Sequence, residues 1–130
     1  MNDILSENDI QLLVNTFYDK VKQDEVIGYI FNTIIGTDWS HHLPIMYSFW
    51  GTVLLNQEGY KGNVMGKHIA LDKQTPLEPA HYERWLLLWG QTVDELFAGT
   101  TANTAKEKAR LMMQLIATKV NMARDGKSIL

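Results

Sequence analysis

The 130-residue chain has no cysteine. That absence removes disulfides, thiolate zinc sites, iron-sulfur clusters and cysteine nucleophiles. No long basic run is present and the formal net charge is -3, so nothing supplies the positive footprint that binding a phosphate backbone requires, and nucleic acid is not an expected partner. No apolar run approaches membrane-spanning length. The start, Met1 to Asp9, carries acids and no apolar core of signal-peptide length, so a cytoplasmic protein with no membrane partner is expected. Sustained strand-like alternation is missing, as are fixed-period repeats and low-complexity linkers. What remains is an all-α chain forming one unit over residues 1–130.

Hydrophobic residues make up 45% and charged residues 21%, the balance of a folded globular chain rather than a disordered one. Ser6 followed by Asp9 resembles a helix-capping arrangement. Behind it Ile10, Leu13, Val14, Phe17 and Val21 recur at the spacing of one helical face, with Tyr18 beside them. The segment from Tyr29 to Gly36 is short and irregular and reads as one or two tight turns, with Phe31 buried. Thr37 or Asp38 is the natural cap of a helix from Trp39 to about Leu55, in which Pro44 falls near the first turns. A turn-rich link leads to a short helix, Val64 to Ile69. Asp72 to Pro79 reads as a loop because of its prolines. Tyr82, Trp85, Leu86, Trp89, Val93, Leu96 and Phe97 mark a helix from about Ala80 to Phe97. Thr100 or Thr101 then caps a last helix striped by Ala109, Met112, Met113, Ile116 and Val120.

Four histidines, at 41, 42, 68 and 81, invite a test for metal binding. No His-Glu-x-x-His and no i, i+4 histidine pair occurs, and adjacent His41 and His42 point about 100° apart on a helix. There is also no Gly-x-Ser-x-Gly elbow, Walker loop or Gly-x-Gly-x-x-Gly turn. Haem makes a different demand: one neutral imidazole, an apolar slot, and a few polar groups opposite. His42, one turn before Met46 on an apolar face, and His68, after a glycine-punctuated link, could face each other across such a group. Four tryptophans, four phenylalanines and six methionines could line it. The same residues also read as plain core, with histidines bonded to backbone, and the pattern alone leaves both readings open.

A resemblance covers about residues 6–122. The run Phe17-Tyr18-x-x-Val21-x-x-Asp24-x-x-Ile27-Gly28-x-Ile30-Phe31 is followed in order by Trp39-x-x-His42-Leu43, Phe49-Trp50, Tyr60-x-Gly62 with His68, and Trp85-Leu86 before the Ala109 helix. Together these look like a group III truncated haemoglobin. The lack of any Gly-Gly pair fits that group. The resemblance implies a truncated globin fold, a two-over-two helical sandwich around haem b (iron protoporphyrin).

It further implies that His68 is the proximal iron ligand and that Tyr18, His42 and Trp85 form the distal pocket. Phe31 would wedge the porphyrin, Met46, Phe49 and Trp50 would line the distal side, Val64 and Ile69 would lie near the proximal face, and Lys67 would pair with a propionate. The implied ligands are oxygen, carbon monoxide and nitric oxide, and the implied partner is a reductase not identified by the sequence. Oxygen binding, nitric oxide dioxygenation and peroxidase-like turnover all suit a polar distal pocket. His42, at an ordinary pKa of about 6.5, would make ligand kinetics pH-dependent between roughly pH 5.5 and 7.5. The rival readings are a haem-free helical interaction or regulatory domain and a haem transfer or storage protein.

Overall fold

A computed structural model describes residues 1–36, 38–57, 60, 62 and 64–126, with all of their side chains except those of Ile34, Val64 and Met65. Among the described residues six helices and no strands form: α1 Glu7–Lys22, α2 Gly28–Ile35, α3 Trp39–Leu55, α4 Val64–Gln74, α5 Pro79–Leu96 and α6 Thr100–Arg124. Of the two cap residues expected before α3, Thr37 lies outside the described residues. Asp38 takes the N-cap position without a side-chain cap bond.

α1 starts where the sequence places it. Ser6 Oγ accepts from the Asp9 amide at 3.3 Å while Asp9 Oδ2 accepts from the Ser6 amide at 3.2 Å, a reciprocal box that satisfies two amides otherwise orphaned at a helix start. Its apolar stripe, Ile10, Leu13, Val14, Phe17 and Val21, is fully buried. α1 packs on α3 and α5, α5 packs on α6, and α3 also touches α6. One helix pair therefore lies over the other. The tryptophans fill the space between: Trp89 stacks on Trp50 at 4.3 Å and on Trp85 at 5.5 Å, and Phe17 meets Trp85 and Trp89 edge-on at 5.0 Å. Each such pairing adds about 0.5–1.5 kcal/mol beyond the area it buries.

Four expectations change. The segment after Gly28 is an eight-residue helix rather than tight turns. Asp24 makes this possible: its side chain accepts from the amides of Val26 and Ile27 at 3.0 and 3.1 Å, standing in for a cap, and is held by Arg84 of α5 at 2.7 Å. Phe31 is half-buried, not buried, because it faces a cavity. α4 runs on through Gln74, so Asp72 belongs to a helix and not to a loop. It is 8% exposed and bound by Arg124 from the end of α6.

The last helix, finally, is capped neither by Thr100 nor by Thr101. Gly99 is its N-cap residue, and the Asp3 carboxylate accepts from the amides of Thr101 and Ala102 at 2.9 and 2.8 Å. A residue 98 positions away thus supplies the cap. Gly99 has φ of +141°, and a side chain there would stand 2.6 Å from the Asp3 carboxyl, so both its backbone and its packing call for glycine.

Candidate ligand cavity

The broad apolar face of α3 is only partly absorbed by core. Trp50 is buried, while His42, Met46 and Phe49 are half-buried because they border a cavity of about 440 Å³. That volume lies within the range of small-molecule and cofactor pockets. All six helices contribute to its wall: Tyr18 from α1, Phe31 from α2, His42, Met46, Phe49 and Trp50 from α3, Lys67 and His68 from α4, His81, Tyr82 and Trp85 from α5, Met112 and Met113 from α6. The lining is predominantly apolar and aromatic, with polar groups at a few points.

Tyr18 and His42 form one such point, with Trp39 packed against both. Tyr18 is 4% exposed. Its ring meets His42 edge-on at 5.4 Å, Phe17 at 4.9 Å and Trp39 at 5.4 Å. Trp39 also borders His42 at 5.7 Å and is covered from outside by the Lys22 ammonium, 4.4 Å from its ring centre. Burial pushes the Tyr18 phenol well above its ordinary value, so it stays protonated and can only enter the cavity as a neutral hydroxyl. Burial, helped by the charges of Lys67 and His41, holds His42 below the usual histidine value. Both favour the neutral ring, and among the described residues its Nε2 is buried with no hydrogen-bond partner. The pH window expected for an ordinary histidine therefore moves to the acid side.

His68 reaches the cavity from α4, half-buried, with Lys67 exposed beside it. Ile69 turns away from the wall and packs against the core. The side chain of Val64 lies outside the described residues. Among the described residues no three His, Asp or Glu side chains converge as a protein-only metal site.

On the α5 and α6 side of the wall sequence reasoning named Trp85 but not His81, Tyr82, Met112 or Met113 as cavity residues. Tyr82 was read as a member of a core stripe, yet its hydroxyl is buried without a partner, and burial together with the nearby Asp72 carboxylate raises its pKa. His81 accepts the Glu78 amide on Nδ1 at 2.9 Å, and its Nε2 lies 3.2 Å from the Tyr29 hydroxyl. Tyr82 carried no sequence signal beyond its position one turn before Trp85, and His81 stood out only as one of the four histidines.

Among the described residues the structure is all helical, and its packed helices surround an apolar cavity of small-molecule size with a histidine on one wall and a tyrosine, a histidine and a tryptophan on others. No protein-family model matches the chain. It is 28% identical over 113 residues to the group 3 truncated hemoglobin ctb of Campylobacter jejuni, covering 85% of this chain and 87% of that one. The crystal structure of the group III truncated hemoglobin from Campylobacter jejuni matches it with a TM-score of 0.80 over 94% of each chain, at 28% identity. The fold is that of the truncated globins, and within them the likeness is to group III.

Proposed function

We propose that the cavity holds haem, as haem b, with His68 as the axial ligand, and that the protein binds oxygen and related diatomic ligands such as carbon monoxide and nitric oxide. One observation carries this reading: His68 shares a single apolar cavity with Tyr18, His42 and Trp85, each from a different helix. The residues present fit the group. The lining is flat and adaptable, one imidazole borders the cavity from α4, and two buried polar atoms, His42 Nε2 and Tyr82 Oη, find no partner among the described residues. An isolated buried polar atom costs about 1–3 kcal/mol, a cost that an occupant with polar atoms offsets.

Haem supplies the iron at which a diatomic ligand is taken up. The protein's share is to hold and orient. His68 would ligate through one ring nitrogen. Phe31, Met46, Phe49 and Trp50 would grip the macrocycle and keep water out. Lys67, exposed beside the cavity, would pair with a propionate, and Val64 is proposed with His68 on the proximal side. Tyr18 and Trp85 are donors whose protons do not titrate near neutral pH, so they would favour a ligand that takes on negative charge. Neutral His42 presents a proton or a lone pair to the same space. Several donors in one dry pocket favour retention over release, which suits oxygen or nitric oxide chemistry better than oxygen delivery, with a reductase returning the iron to its ferrous form.

The test is a visible spectrum of the purified protein, oxidised, reduced and under carbon monoxide, beside a His68→Gly variant. The expected result is a Soret band and a stable carbon monoxide adduct, lost in the variant and restored by added imidazole. A protein that stays colourless after reconstitution with haem would overturn the proposal and leave a helical interaction domain. A protein that takes up haem but exchanges it rapidly, with no stable oxygen complex, would be a haem transfer or storage protein.

A further inference from the structure

His68 and Asp72 stand one turn apart on α4, four residues apart and hence on the same side of the helix. Asp72 is where α4 is fastened. Arg124 Nε donates to Asp72 Oδ2 at 2.8 Å and to Oδ1 at 3.1 Å, and Arg124 Nη2 donates to Oδ1 as well. The same Nη2 donates to the Leu77 carbonyl at 2.8 Å, while the Leu77 amide donates to Asp72 Oδ1 at 2.8 Å. One guanidinium thus ties the last turn of α4, the turn that follows it and the last turn of α6 into a single knot. Asp72 is 8% exposed, and a fork-shaped pair of this kind fixes direction as well as distance.

The knot matters because of what else holds α4. Among the described helices its packing partner is α6. α5, which carries Trp85, also packs on α6, so α6 is the shared reference between the His68 wall and the Trp85 wall. Lys67, His68 and Leu71 of α4 line the cavity.

We propose that the Asp72–Arg124 pair is a positioning device for the axial histidine: it sets how α4 lies on α6 and so where His68 stands in the cavity. Arg124 does not itself line the cavity; it reaches the His68 wall through Asp72 on α4, and it also bonds the Leu77 carbonyl and lies 3.8 Å from the Glu78 carboxylate where α5 begins. The inference rests on haem binding through His68, and its test separates the two.

The experiment uses the full-length haem-loaded protein and two variants, Arg124→Met, which keeps the stem and removes the fork, and Asp72→Asn, which keeps an acceptor for the Leu77 amide and removes the charge. Far-ultraviolet circular dichroism checks folding. The readouts are the rate of haem transfer to excess apomyoglobin and the iron–histidine stretching band in the ferrous resonance Raman spectrum. Groups that orient a metal ligand typically change affinity about 10–100-fold when lost. Because Arg124 acts at one remove, haem loss should be faster by about tenfold, with a shifted or broadened iron–histidine band. An Arg110→Met control, which breaks an exposed ion pair with Glu107 on the same helix α6, should leave that band in place. If Arg124→Met fails to fold, Asp72→Asn decides. Folded variants with wild-type haem loss and an unchanged band would overturn the proposal while leaving haem binding intact. A wild-type protein without haem would overturn the functional reading itself.

Discussion

Replacing Tyr18 with phenylalanine isolates one hydroxyl. The ring is packed by Phe17, Phe31, Trp39 and His42 at centroid distances between 4.9 and 5.9 Å, and phenylalanine keeps all of these contacts, so the fold and the cavity should survive unchanged. What goes is a donor. A hydrogen bond to a charged partner in a dry site contributes about 1.5–3 kcal/mol, or roughly tenfold to hundredfold in affinity. Most of that should appear in the off-rate. Burial holds the phenol protonated well beyond its ordinary value, so the effect of Tyr18→Phe should be the same at pH 7 and pH 9. The assay is oxygen dissociation by stopped-flow replacement with carbon monoxide. Oxygen should leave the variant about ten to a hundred times faster, and carbon monoxide, less polar when bound, should respond less. An unchanged oxygen off-rate in a variant with normal haem content would remove Tyr18 from the ligand's surroundings and refute the reasoning.

Phe17, fully buried against Trp85 and Trp89, should cost about 3–5 kcal/mol when cut to alanine, read as a lower urea midpoint. Gly99→Ala puts a side chain at φ of +141° and into the Asp3 carboxyl, so a drop in Tm is expected, and an unchanged Tm would show that the N-terminal cap does not hold α6. His42 gives a pH dependence with a definite sign. Its folded pKa lies below its unfolded value, so between the two the unfolded chain binds the extra proton, and stability present above about pH 6.5 is lost as pH falls. His42→Leu should flatten that acid limb of the urea-midpoint profile, and an identical profile in the two proteins would assign the acid loss to other groups.

The long helices were legible because each buries a stripe set by local spacing: the residues of α1 at Ile10, Leu13, Val14, Phe17 and Val21 are all fully buried. What escaped depends on partners far along the chain. Asp72, with Pro76 and Pro79 ahead of it, reads locally as a loop. Only Arg124, 52 residues on, makes a carboxylate acceptable inside a helix. The cap of α6 comes from Asp3, and the cap of α2 from an aspartate that is itself pinned by Arg84, 60 residues away. Spacing cannot register such pairs. The site divides similarly. Tyr18, His42, Trp85 and His68 could be named from an ordered set of short motifs, and the structure puts all four on one cavity. Tyr82, Met112 and Met113 sit on the same wall, yet their helical spacing matches that of ordinary core and carries nothing to distinguish them.

The distinction lies in how well polar atoms are satisfied. Trp89, deep in the same aromatic stack, donates its indole proton to the Ala105 carbonyl at 3.2 Å, and Thr92, completely buried, donates to Leu88 at 2.7 Å. These are core residues and their polar groups are paired. His42 and Tyr82 break that rule: each leaves a polar atom buried and unpartnered, and both border the cavity. A helix face meant only for packing would be more stable with leucine at 42 and phenylalanine at 82, since neither ring carries an unmet hydrogen bond. Local rules that hold at core groups such as Trp89 and Thr92 and fail, among the described residues, at two residues of one cavity point to that cavity as a place for something else. His42→Leu and Tyr82→Phe should therefore each raise the urea midpoint of the haem-free protein while weakening retention of haem or its ligand. Gains in stability without any such loss would show that the two polar atoms serve packing alone.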